Sequence, residues 1–173
     1  LEKAAQVGAR YAVSTRIVPS GLNAEDYVGF NCGNGVLKAG DTICAAALGI
    51  ITCTGGSGAV ACTCAPSGLS GSCPSDTSVD ATAFNNIVTR MRVIAPTLAA
   101  DNVTVKYSGS GIGYAGDPNA DDNGNSLSQI SPIVTVQISS LHLRAISLLG
   151  VGIRLPSFQY SQTSEDGDGS IAY

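Results

Sequence analysis

The chain has 173 residues, 9 of them Lys or Arg and 13 Asp or Glu, a formal charge of −4. That length holds one domain with a real hydrophobic core, and the acidic balance excludes a nucleic-acid binder, which needs a basic stripe to release counterions. A single His excludes any site built on two imidazoles, and 44% hydrophobic against 13% charged residues excludes a disordered chain.

Residues 1–18 (LEKAAQVGARYAVSTRIV) predict a helix. Leu1, Ala4, Ala5, Gly8 and Ala12 share one face at i, i+3, i+4, i+7 and i+11, and Glu2, Gln6 and Arg10 form a polar row. The small apolar face lets another backbone approach closely: a neighbouring helix, as in membranes, or the domain's own sheet. No Ser, Thr, Asp or Asn cap precedes Leu1, so the segment reads as the tail of a longer helix.

Residues 19–77 hold all six cysteines, Cys32, Cys44, Cys53, Cys62, Cys64 and Cys73, among recurring turn residues such as Gly55-Gly56-Ser57-Gly58. An even number clustered this way predicts a disulfide framework in an oxidising compartment, with the pairing open. The intervals leave 11, 8, 8, 1 and 8 residues between cysteines, so the C-x₂-C pairs usual in zinc sites are missing. The segment reads as a loop-rich insertion with little core of its own. Its apolar run Cys44–Cys53 fits a short helix or a buried strand equally. A cross-linked chain must be exported, so a delivering or anchoring segment is expected upstream of Leu1.

Residues 78–95 predict a second helix, with Phe84, Ile87, Val88, Met91 and Ile94 on one face, Ser78 or Asp80 as cap and Pro96 as stop. Period two follows. Val103, Val105 and Tyr107 alternate with Thr104 and Lys106, and Val134, Val136 and Ile138 alternate with Thr135, Gln137 and Ser139. A polar loop spans 108–131, and LHLRAISLLGVGIRL reads as a short helix or crossing loop. A last strand is expected over 157–163, and 165–173 is an acidic tail. The order predicts an α+β domain, with two helices on one face of a small antiparallel meander.

The stretches AAQVGARYAV, NVTVKY, VTVQISS and LRAISLLG, in that order around an amphipathic helix and before a closing strand, resemble the TadE/TadG-like minor pilins (pseudopilins) of the tight-adherence, or Flp, pilus system. The resemblance covers residues 4–13 and 78–164. It implies a pilin-like fold whose N-terminal helix continues from a membrane span. It also implies a non-catalytic role in pilus assembly or adhesion. The implied partners are other pilus subunits, the assembly machinery and the inner membrane, with the head outside the cytoplasm. The Cys-rich segment departs from a minimal member and is the expected partner-specific surface.

Chemistry-bearing residues are few. His142 has no nucleophile or carboxylate in its sequence context. Gly55-Gly56-Ser57-Gly58-Ala59 lacks the last glycine of a nucleophile elbow. Gly109-Ser110-Gly111-Ile112-Gly113 has neither the spacing nor the lysine of a phosphate loop and reads as a turn. Counting Asn119 as position one, Asp121, Asn123 and Gly124 fall where a calcium loop begins, but its closing Glu is replaced by Ile130. Asn119, Asp121 and Asn123 are therefore a calcium candidate set against an ordinary Asx-rich turn. Asn102-Val103-Thr104 matches a glycosylation sequon at the start of a strand. No other cofactor is expected. The reading is a non-catalytic minor pilin; the alternative is a secreted adhesin or carbohydrate-binding module.

Overall fold

The computed structural model describes residues 1–33, 35–56, 58–66, 73–76, 78–117, 127–144 and 152–164. Two helices, α1 (Glu2–Val13) and α2 (Ala81–Arg92), accompany seven strands. These are β1 (Ile50–Gly55), β2 (Val60–Ala65), β3 (Val103–Ser108), β4 (Ile133–Ile138), β5 (His142–Arg144), β6 (Gly152–Arg154) and β7 (Phe158–Thr163). A five-stranded sheet has the order β2-β1-β3-β4-β7, antiparallel at every pair, and β5 and β6 form a separate pair. The α+β class is as expected. The meander is not. The chain leaves β2 at the sheet edge, runs through α2, and returns to pair β3 with β1.

The strands alternate because one sheet face is dry. Val103, Val105, Tyr107, Val134, Val136, Ile138, Ile51 and Cys53 point to that face and are buried. Thr52, Thr54, Thr104, Lys106, Thr135 and Gln137 point the other way. Helix α1 lies on β4 and β7 and beside α2. Its Ala4, Ala5, Ala9 and Ala12 are all fully buried. At Gly8 an added Cβ would stand 2.7 Å from Met91 Sδ and 3.2 Å from Val136 Cγ1. The small-residue face is thus used by the domain's own sheet and second helix.

Helix α1 stops at Val13, five residues before the expected end. The Ser14 hydroxyl donates to the Arg10 and Tyr11 carbonyls at 3.2 and 3.3 Å, competing with helix continuation. Beyond it, tertiary hydrogen bonds hold Val18 in a different conformation. Its N–H donates to the Tyr107 hydroxyl at 3.2 Å and its carbonyl accepts from Asp80 N–H at 2.8 Å. Helix α2 is shorter than 78–95. Asp80 provides its cap, its carboxylate accepting from Ala83 N–H at 2.9 Å. Ile94 lies past the helix end and is 45% exposed, so it leaves the expected apolar stripe.

One further expectation is overturned, and two open readings are narrowed at their described residues. Residues 19–77 are no appended loop: Leu22, Tyr27, Ile43, Leu48, Ile51 and Cys53 are core, and the segment supplies β1 and β2. The Cys44–Cys53 run divides into a 3₁₀ turn, Ala45–Ala47, and the start of β1. The described ends of LHLRAISLLGVGIRL are not helical, for His142–Arg144 pairs with Gly152–Arg154. The last strand runs from Phe158 to Thr163, close to the expected 157–163, with Phe158 and Tyr160 on the helix-covered face.

Because Met91 is a flexible neighbour and Ala gains about 1 kcal/mol of helix propensity over Gly, Gly8→Ala should change stability by less than about 1 kcal/mol. Gly8→Leu should cost about 3 kcal/mol by overpacking. Urea unfolding of both variants checks this; a neutral Gly8→Leu would mean the face is not packed.

Candidate functional site: interaction surfaces

The three disulfides pair cysteines adjacent in sequence order. Cys32–Cys44 has a Cα separation of 5.9 Å, Cys53–Cys62 one of 4.0 Å, and Cys64–Cys73 one of 5.7 Å. Cys53 and Cys62 sit directly opposite in the β1–β2 register. Closing loops of this length contributes about 3 kcal/mol per bridge, chiefly by restricting the unfolded chain. Cys64–Cys73 returns the chain toward Asp76, whose carbonyl lies so close to Gly21 that a methyl there would overlap it. The Asp76 carboxylate accepts from both the hydroxyl and the N–H of Ser78. Those bonds hold it below the usual carboxylate range.

Cys32–Cys44 anchors a hairpin in which Gly29 N–H donates to Leu37 carbonyl and Leu37 N–H to Phe30 carbonyl, both at 2.8 Å. The base of this hairpin is tied to residues 113–116. Gly40 N–H donates to Ala115 carbonyl, and Ala115 N–H donates to Asp41 carbonyl. Val28, Val36 and Tyr114 stand exposed on the combined surface. These exposed apolar side chains stand among exposed charged ones, Asp26, Lys38 and Asp41.

Gln129, buried in the same region, holds it together, and no sequence pattern marked it. Its Oε1 accepts from Tyr27 N–H at 3.1 Å and Gly116 N–H at 3.2 Å, while Nε2 donates to Asp26 Oδ1 at 3.2 Å. A side-chain amide supplies the two-bond acceptor and the donor on separate atoms, so it reaches all three segments at once. The Tyr27 ring packs edge-on against Phe30, and its buried hydroxyl has no hydrogen-bond partner among the described residues. Burial, helped by the Glu25 charge, raises the Tyr27 phenol well above its usual range. Burial raises Tyr107 likewise, against the lowering effect of the bond from Val18 N–H.

The remaining candidates do not converge. His142 is exposed at the start of β5, opposite Arg154 in register, and makes no side-chain hydrogen bond or ion pair among the described residues. Gly111 and Gly113 adopt left-handed backbone. Their loop is bound to the domain through Ser110 Oγ to Ser131 carbonyl and Ile43 N–H to Gly113 carbonyl, so it is a stitched turn rather than a free cradle. The Asn102 side chain accepts from Ala99 N–H and is half-buried. Asn119, Asp121 and Asn123 lie outside the described residues. Among the described residues there is no group of three or more His, Cys, Asp or Glu side chains able to hold a metal. No described helix is long and apolar enough to cross a membrane.

With this geometry in hand, comparison with models of known families, with curated proteins and with solved structures finds no match. The family therefore stays an expectation. What stands is an α+β domain with three disulfides, the chemistry of an oxidising compartment outside the cytoplasm.

The two buried tyrosines give a pH prediction. Above pH about 10 the unfolded chain releases phenol protons that the folded state retains, so the unfolded state binds fewer protons. Stability is then full below about pH 10 and falls as pH rises toward the raised folded values, by up to about 1.4 kcal/mol per pH unit for each tyrosine. Denaturant midpoints against pH, followed together with tyrosinate absorbance, should show this loss. Tyr107→Phe should reduce the slope.

Proposed function

We propose that the chain is the extracytoplasmic head of a TadE/TadG-like minor pilin, non-catalytic and acting in assembly of, or adhesion by, a tight-adherence pilus. In this reading α1 continues from a membrane-spanning stretch ahead of Leu1. The head then makes contacts with other pilus subunits and with the assembly machinery.

The observation that carries the reading is how the resembling segments pack. GARYAV lies in α1, NVTVKY forms β3 and VTVQI forms β4. Helix α1 rests on β4 and β7, and β3 pairs with β4. The motifs therefore meet in one layered unit, a helix on an antiparallel sheet, as a pilin-like head requires. The disulfides agree with export. Exposed α1 residues are Glu2, Lys3 and Arg10. Lateral contacts of the helix within the head region would accordingly be polar.

Deletion of the gene in its native host tests the proposal, together with fractionation of the protein. The expected result is loss of piliation or surface adherence, with the protein found in the membrane or in sheared pili. Normal piliation, with the protein released free into the medium, would contradict it.

A further inference from the structure

We infer that the open face of the five-stranded sheet binds an anionic, hydroxyl-rich polysaccharide laid across its strands. Each of the five strands presents three side chains to this face, and of all these only Lys106 is charged. The chain as a whole is 13% charged. The depletion is selective in sign as well. A chain with 13 acidic residues places no carboxylate on these strands' outer face.

What replaces charge is an ordered set of hydroxyls and amides. One row crosses all five strands in register: Thr63, Thr52, Lys106, Thr135, Ser161. A second row beside it carries Thr54, Thr104, Gln137 and Gln159. Strand spacing sets these groups about 4.8 Å apart along a row and the rows about 7 Å apart, a repeat comparable to successive sugar rings of an extended glycan. Every group except the lysine both donates and accepts, matching a sugar hydroxyl, which does the same. The row is already ordered, since Thr135 Oγ1 and Ser161 Oγ are hydrogen-bonded at 2.8 Å.

Lys106 selects the charge of the ligand. It stands on β3, the middle strand, and its ammonium makes no hydrogen bond or ion pair among the described residues. A uronate carboxylate would meet the only cation on these strands' outer face, where the described strand residues include no acid. A protein partner fits less well, because its binding needs aromatic or arginine anchors in buried pockets. This face has none, and its two isoleucines, Ile50 and Ile133, lie in the row at one end. A second copy would bring Lys106 against Lys106 near any central two-fold axis. Individual contacts are weak, so affinity comes from repetition along the polymer. The inference holds whether or not the chain belongs to a pilus.

The test is affinity electrophoresis of the disulfide-intact chain in gels containing polygalacturonate, amylose or polyglutamate. Wild-type chain should be retarded most by polygalacturonate. Lys106→Glu should weaken that retardation about tenfold. The double change Thr52→Val with Thr135→Val should weaken it severalfold at an unchanged melting temperature, because valine keeps the strand shape while removing the hydroxyl. Three results would overturn the inference: no retardation of the wild type, retention by both variants equal to wild type, or polyglutamate as effective as polygalacturonate. The last would reduce the effect to bulk charge attraction.

Discussion

Strand β1 is hydrogen-bonded on both sides, to β2 across Cys53–Cys62 and to β3 across Cys53–Val105, and the rest of the architecture follows from that double pairing. A strand inside a sheet must satisfy its backbone within the protein and bury one face. Cys53 is fully buried, so the segment that carries the disulfides also carries core. With β1 between β2 and β3, the chain must cross from the outer strand back to β3. Helix α2 makes that crossing and delivers Phe84, Ile87 and Met91 to the core. Val18 then ties the sheet to the second helix, bonded through its N–H to Tyr107 of the sheet and through its carbonyl to Asp80 at the start of α2.

The sequence disclosed the elements whose periodicity spans several residues of one kind. VTVKY and VTVQI alternate cleanly, and the Phe84–Met91 stripe has helical spacing, so β3, β4 and α2 were legible to within a few residues. Strands β1 and β2 were hidden by their cysteines. In Ile51-Thr52-Cys53 and Cys62-Thr63-Cys64 the cysteines are the apolar half of a period-two pattern. Residue spacing considered only as cross-linking geometry conceals that role, although a buried cysteine behaves as a small hydrophobe. The glycine run 55–58 was visible as a turn, and its flanks were the strands. The end of α1 was misjudged because the bonds that redirect Val18 come from residues 62 and 89 positions away, Asp80 and Tyr107. Gln129 carries no local signature at all; its importance lies in three partners from distant segments.

The candidate surfaces divide by what the fold leaves over. The inner sheet face and the alanine face of α1 are consumed by packing. Among the described residues, three surfaces stay free of packing: the polar exposed side of α1, the hairpin region around Val28, Val36 and Tyr114, and the hydroxyl-rich outer sheet. Each rests on rigid support, from the disulfides, the Gln129 hydrogen bonds or the sheet itself. Such an arrangement suits binding by contact, and the disulfides suit an oxidising compartment.

Amide hydrogen exchange on the native, disulfide-intact chain tests the central assertion, that the Cys-rich segment is woven into the sheet. The amides of β1 that bond to β3 or β2 should exchange as slowly as those of β3 and β4, close to the limit set by global unfolding. Exchange of the 50–55 amides at rates typical of exposed loops, with β3 and β4 still protected, would contradict the account and return residues 19–77 to the status of an appended insertion.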